Sequence, residues 1–445
     1  MTERILVPFA GAGRGVEPLT WGMRELWGGM QRQRTWMPLG GALPLPAGTT
    51  VDGMAAELRF LMERYPSMRT RLRLRAYGPP VQVLEERGEL PVEILDVPDG
   101  TDPGAYAEQV RERYWETAFD FEQEWPARVA LIRHRGVLTH YVPILCHLVA
   151  DGFGVLIMTR ELLRRRRDGG VFTGPPTPMP PLEQARWQSS AAGQRTSATV
   201  LRYWENQLRT IAPRRFPGPV APREPRHWCA GFTSRALHLA ARSVARRAGA
   251  EPSHVLLAAF ATALARETGI HPVVTRLVVS NRFRPGLAGT VSPISQTGLC
   301  VLDVADAPFE EVVAQAGRRA LAAYKYAYYD PEQMDAMLAR VCRERGEEVD
   351  IACYFNDRRL EDRDDGGPAP AAAEILDALA GTGFRWVSRL DVPSERLFLH
   401  INNAPDTVDI SLFADTRYVP PATMEGCLRG MEEIAVRAAL PARTG

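Results

Sequence analysis

Reactive side chains are sparse in this chain of 445 residues, which carries eight histidines and six cysteines. One short stretch gathers several of them: ILCHLVADGFG, residues 144–154, holds Cys146, His147, Asp151 and Gly152. An imidazole titrates near pH ~6.5, so His147 is suited to accepting and returning a proton at neutral pH. Asp151, four residues on, is too displaced to be taken as the partner of a catalytic triad. It is suited to pinning the loop through an arginine, since a buried Asp–Arg pair fixes geometry even where it adds little stability. Gly152 allows a sharp backbone path. Cys146 is a small thiol whose side chain, one residue away on a strand, points opposite to that of His147, which argues against a shared covalent mechanism. Taken alone, the spacing also fits an ordinary core histidine beside a strand.

The elements around this stretch give it a setting. ARVALIRH and GVLTHYVPIL, joined by Arg135-Gly136, have the spacing of a hairpin, and the second strand runs directly into His147. Phe153, Leu156, Ile157, Leu162 and Leu163 follow with helical periodicity up to RRRRDGG, where cations and a glycine make an ordinary helix end. A solvated helix end is the reading of Arg164 to Arg167; recognition of acidic partners is the alternative. The histidine thus stands on a strand-to-helix turn, where a rigid scaffold commonly presents functional groups.

Upstream, RILVPFA predicts a strand. Leu19 to Gln31 and Val51 to Tyr65 predict helices, the second with Met54, Leu58, Leu61 and Met62 on one face. RTRLRLRAY alternates as a half-buried strand, and Asp102-Pro103 opens a helix that runs to Ala118. Downstream, Ser253 to Glu267 predicts an apolar helix, VVTRLVVS a buried strand, and ERLFLHIN with TVDISLFA a pair of strands. GPPTPMPPL, residues 174–182, is incompatible with helix and predicts a linker between lobes at 1–173 and 183–445. EDRDDGGPAPAAA, residues 361–373, predicts a surface loop. The expected class is α/β in two lobes, as the length alone favours more than one core.

Several function classes are disfavoured. Basic and acidic residues number 54 and 53, without the cationic excess of a nucleic-acid binder. No apolar run reaches the ~20 residues of a membrane span. The cysteines form no CxxC pair, which predicts neither disulfide framework nor structural zinc and fits a reducing cytoplasm. GAGRG at 11–15 lacks the spacing of a dinucleotide fingerprint and reads as a turn. His134 and His140 have no neighbours that complete a metal site, and read as structural.

The stretch Cys146-His147-x-x-x-Asp151-Gly152 resembles the H-H-x-x-x-D-G signature of condensation domains of nonribosomal peptide synthetases, within the chloramphenicol-acetyltransferase-like superfamily. Further stretches resemble the family's other motifs in order: LTWGMRELW (19–27, with Arg24 and Trp27), RYPSMRTRL (64–72, with Arg64, Arg69 and Thr70), and LEQARWQ (182–188). SNRFRPGLAGTVSPISQTG (280–298), AYYDPEQ and CYFND follow more loosely. The resemblance implies two lobes in a V, with the histidine at the floor of a tunnel between them. It implies that His147 assists attack of an amine on a thioester carbonyl, as base or by orienting the amine. Asp151 is then structural and pairs with an arginine, for which Arg69 and Arg282 are the candidates. Gly152 provides room, and its N–H is placed to help hold an oxyanion. Cys146 departs from the family's first histidine.

A thioester is already activated, so positioning supplies most of what the reaction needs: oriented encounter contributes roughly 7–11 kcal/mol and a general base ~10²–10⁴-fold. No bound cofactor is implied; substrates arrive on the phosphopantetheine arms of acyl or peptidyl carrier proteins, and the nucleophile is a small-molecule or carrier-bound amine. The motifs occupy the chain without room for a carrier or adenylation region, which leads to the expectation of a free-standing condensation enzyme of natural-product (antibiotic) biosynthesis, meeting its carriers in trans. It would form an amide in preference to an ester. Two alternatives stand beside it: a coenzyme-A-dependent acyltransferase, and a non-catalytic platform that recruits a tailoring enzyme.

Overall fold

A computed structural model describes residues 2–171, 174, 179–359, 369–391 and 395–440. The chain is mixed α/β and divides into two compact units, residues 1–195 with 280–295, and 196–279 with 296–445. The strands and helices of the first unit are β1 (Thr2–Ala10), β2 (Gly15–Pro18), α1 (Trp21–Gln33), β3 (Pro38–Gly40), β4 (Leu43–Pro44), α2 (Val51–Arg64), β5 (Thr70–Arg73), β6 (Val81–Leu84) and β7 (Arg87–Asp96). They continue with α3 (Pro103–Glu116), β8 (Ala127–His134), β9 (Val137–Cys146), α4 (Gly152–Arg167) and α5 (Pro181–Ser189). Helix α6 (Ala191–Leu208) carries the chain out of this unit at Arg195.

The main sheet of the first unit has the order β1-β7-β8-β9-β3, with β4 also paired to β9. Strands β7 and β8 are parallel, which requires a crossover, and α3 supplies it. This sheet is buried on both faces. Val129 and Leu131 of β8 join a core with α2 and α4, while Ala130 and Ile132 join a core with α1 and α3. That is why ARVALIRH reads as a nearly continuous apolar run. Arg135 and Gly136 both have positive φ, 51° and 82°, the geometry that turns a two-residue hairpin tightly. In α2, Met54, Leu58, Leu61 and Met62 are the buried residues, as their spacing predicts. Asp102 caps α3 by accepting the Ala105 N–H at 2.9 Å.

The second unit contains β10 (His227–Ser234), α7 (Arg235–Ala248), α8 (Pro252–Thr268), β11 (Val273–Val279), β12 (Gln296–Leu302), α9 (Phe309–Lys325), α10 (Pro331–Arg345) and β13 (Cys353–Asp357). It ends with α11 (Ala372–Ala378), β14 (Gly383–Leu390), β15 (Leu397–Asn402), β16 (Val408–Asp415) and α12 (Pro421–Ala439). Its mixed sheet runs β12-β11-β13-β15-β16-β10-β14. Helix α8 is apolar on nearly all sides and is buried from Val255 to Ala261, as such a helix must be. The expected pair of strands is β15 against β16, antiparallel.

Three expectations need correction. The chain leaves the first unit at Arg195, not within 174–182, because α5 packs against β2 and Gln188 accepts the Trp21 N–H at 2.8 Å. Residues 280–295 also belong to the first unit, so neither unit is a continuous span as the expected division at 1–173 and 183–445 supposed. Strand RTRLRLRAY ends early, at Arg73, and Leu74 and Tyr77 beyond it are exposed. Of the linker, 175–178 lie outside the described residues, as do 361–368 of the acidic stretch. All six cysteines are free. Among the described residues no helix is long and apolar enough to cross a membrane.

Candidate active site

Strand β9 delivers His147. Its inward residues Val142, Ile144 and Cys146 sit in the core with α1 and α3, and pairing of Cys146 with Pro38 fixes the end of the strand. The chain then turns, with the Val149 N–H donating to the Cys146 carbonyl at 3.0 Å. Leu148 enters the α1/α3 core, whereas Val149 and Ala150 enter the α2/α4 core. Three apolar residues driven into two cores hold the turn rigid, and His147, which precedes them, is left half-buried with its Nδ1 atom covered.

Asp151 closes the turn and opens α4. Its Oδ1 accepts the Gly154 N–H at 2.9 Å, the bond of an aspartate N-cap. The same oxygen meets Arg282 at 2.7 Å, and Oδ2 accepts from Arg282 at 2.9 Å. Oδ2 also accepts the N–H groups of Ile294 (3.3 Å) and Ser295 (3.1 Å) and the Ser295 hydroxyl (2.6 Å). Burial opposes ionisation of this carboxyl most strongly. Arg282, the Ser295 hydroxyl and the Gly154 N–H nevertheless outweigh it, and the group is held below the usual carboxylate range. One buried carboxylate therefore fastens the segment 280–295 to the first turn of α4. Arg282 adds bonds to the Thr290 carbonyl at 2.9 Å and the Ser292 carbonyl at 3.4 Å, and the Asn281 side chain donates to the Ile294 carbonyl at 3.0 Å.

Of the two candidate arginines, only Arg282 stands against Asp151. Arg69 is fully buried elsewhere, donating to the carbonyls of Met62 (2.8 Å), Ala12 (2.7 Å) and Glu85. It takes this place because Gly11 leaves room: a Cβ there would lie 2.7 Å from the guanidinium. The GAGRG turn is thus shaped around an arginine, with Gly13 at φ +94°.

Cys146 is buried, its Sγ 3.8 Å from the Trp36 carbonyl, and burial pushes its thiol up to about 12. It is a protonated packing group, not a nucleophile. Gly152, at the first position of α4, is exposed, and a Cβ built on it would meet no other atom within 4 Å. Gly154, by contrast, is tightly packed: a Cβ would lie 2.9 Å from that of Ala150 and 3.5 Å from Arg282. The arrangement sets a half-buried imidazole beside the open N-terminus of a helix, whose dipole favours negative charge.

Sequence reasoning missed Gly154, Ser295 and a clamp on α4. In the clamp Glu161 accepts from Arg64 at 3.0 and 3.2 Å and from the Tyr65 hydroxyl. The G-F-G run was a visible signal for Gly154; nothing in the sequence links Ser295 or Glu161 to the turn.

This fold and this histidine turn define a domain of the acyl-transferring condensation type. The chain belongs to the condensation-domain family, whose model matches residues 42–356. It is 27% identical over 292 residues to the cyclosporin synthetase of Tolypocladium inflatum, covering 63% of this chain and 2% of that protein. It is 26% identical over 314 residues to the chondramide synthase of Chondromyces crocatus, covering 66% of this chain and 8% of that protein. The chain thus spans a small fraction of the length of these relatives. A solved structure concerned with condensation domain-mediated chain release from the enacyloxin polyketide synthase superposes with a TM-score of 0.74 at 19% identity, over 98% of this chain and 84% of that one. The fold is accordingly the two-lobed, chloramphenicol-acetyltransferase-like α/β fold.

Proposed function

We propose that this chain forms an amide bond, transferring an acyl or aminoacyl group from the thioester of a carrier-bound phosphopantetheine arm to an amine. The observation that carries the reading is His147 on a turn locked by two cores and by the Asp151 carboxylate, beside an exposed Gly152 with open space above it. In the reaction the amine nitrogen bonds to the thioester carbonyl carbon, and the carbonyl oxygen becomes an oxyanion near the Gly152 N–H. His147, with Nδ1 covered, accepts the amine proton on Nε2. Collapse breaks the C–S bond, and the proton passes to the departing thiolate. Orientation supplies the larger share of the rate, the histidine ~10²–10⁴-fold.

Asp151 and Arg282 act as positioning residues, since neither is free to meet substrate while each satisfies the other. Cys146 takes no chemical part. The testing experiment offers one acyl group in two forms, on a phosphopantetheinylated carrier protein and on coenzyme A, with a panel of amines, and follows product by mass spectrometry. Amide from the carrier-borne donor at far higher kcat/KM is expected. Equal or better use of the coenzyme A form would overturn the reading in favour of a coenzyme-A-dependent acyltransferase, and ester as the main product would overturn the choice of nucleophile.

A further inference from the structure

Helix α4 leaves the active-site turn and runs 16 residues, about 24 Å, to a run of four arginines. Two of the four are absorbed by α2. Arg165 lies over the Phe60 ring at 5.3 Å, and Arg166 pairs with Glu57 at 2.6 and 2.8 Å. The others face away. Arg160, Leu163, Arg164 and Arg167 follow the i, i+3, i+4, i+7 spacing of one helical face, and all four are exposed, Leu163 at 50%. Among the described residues no carboxylate pairs with Arg164 or Arg167.

Helix-end chemistry does not account for this face. A cation in the last turn gains about 0.3–1 kcal/mol from the helix dipole, but like charges three and four residues apart repel each other. Arg160 with Arg164, and Arg164 with Arg167, are such neighbours, and an apolar Leu163 stands exposed among them. The arrangement calls for carboxylates from another molecule, with an apolar contact at the centre. A nucleic acid is disfavoured by the net charge of +1. A membrane surface is disfavoured because a lone leucine supplies too little apolar area for insertion.

We propose that the Arg160–Leu163–Arg164–Arg167 face of α4 is a docking surface for an acidic helix of the carrier protein that delivers the thioester. This rests on the acyl-transfer reading above and adds where the carrier is recognised. Complementary charge raises the rate of encounter and sets orientation, while Leu163 fills an apolar notch between acidic side chains. None of these four residues belongs to the active-site turn, so recognition and chemistry are separable.

The test compares the full chain with two triple variants, R160Q/R164Q/R167Q and R160K/R164K/R167K, the first free of the helix-end penalty that glutamates would bring. Each is assayed with the same acyl group on a phosphopantetheinylated peptidyl carrier protein bearing an acidic surface helix, and on free pantetheine. The glutamine variant is expected to raise KM for the carrier about tenfold at low salt, with kcat unchanged and the pantetheine thioester unaffected. Its KM should lose the salt dependence of the parent, and the lysine variant should keep most of the parent's KM. An unchanged carrier KM in the glutamine variant, or an equal loss on both substrates, overturns the proposal. Should neither thioester yield amide, the acyl-transfer reading fails by itself. Binding of dye-labelled carrier by fluorescence anisotropy then decides the docking face: weaker binding by the glutamine variant than by the parent supports it, and equal or absent binding overturns it.

Discussion

Replacing Asp151 by asparagine keeps the size and the capping ability of the side chain while removing the charge, so the consequence can be worked from the bonds it makes. Oδ1 meets two donors, from Arg282 and Gly154, and Oδ2 meets four, from Arg282, Ile294 and Ser295. Whichever oxygen becomes NH₂, a donor then faces at least two donors, and Arg282 loses its counter-charge in a buried place. Breaking a buried pair from one side costs about 3–5 kcal/mol.

Urea unfolding of both proteins, followed by tryptophan fluorescence, measures this at pH 7. The pH dependence carries a second check. The carboxyl is held low in the folded chain, so its contribution is fully present above the ordinary unfolded value, about 3.9. It is lost as pH falls through the depressed folded value. The gap between parent and D151N should therefore stay constant from pH 5 to neutrality, by the reference carboxyl value of about 3.9, and narrow in stronger acid. A gap below about 1 kcal/mol at pH 7 would refute the reasoning, because it would mean that the six-donor cluster carries no net stabilisation.

Arg69→Met leaves three buried carbonyls without their donor and should destabilise by at least about 3 kcal/mol in the same unfolding assay, given ~1–3 kcal/mol for each. Cys146→Ala should keep amide formation and cost only about 1 kcal/mol of stability, and the parent's Cys146 should resist iodoacetamide until the chain unfolds, its thiol being pushed up to about 12. Gly154→Ala should destabilise by about 1–3 kcal/mol through overpacking against Ala150 and Arg282. Gly152→Ala should leave stability intact, as its Cβ enters open space, while lowering kcat/KM because that space is where the reacting carbonyl lies.

What could be read in the sequence was local. The strand-to-helix setting of His147, the hairpin turn at Arg135-Gly136, the buried face of α2 and the cap at Asp102 each follow from a few adjacent residues, and each is present. What could not be read was the pairing of distant segments. Both Arg69 and Arg282 suit a buried carboxylate by residue type. Only the path of 280–295 back into the first unit brings Arg282 to Asp151, while the space at Gly11 takes Arg69 to backbone carbonyls. The proline-rich stretch 174–182 marked a break in helix but not a unit boundary, because the helix after it still packs onto the first unit. Ser295 enters the cluster through two backbone N–H groups and a hydroxyl, a contribution with no signature in residue pattern.

The role of His147 in acyl transfer is tested most directly by single-turnover amide formation from a carrier-loaded donor and saturating amine, comparing the parent with His147→Ala. Circular dichroism and urea unfolding serve as controls for folding. The rate should fall about 10²–10⁴-fold, with stability and carrier binding little changed. A folded His147→Ala protein that turns over at the parent's rate would contradict the assignment and leave the chain a platform for chemistry done elsewhere.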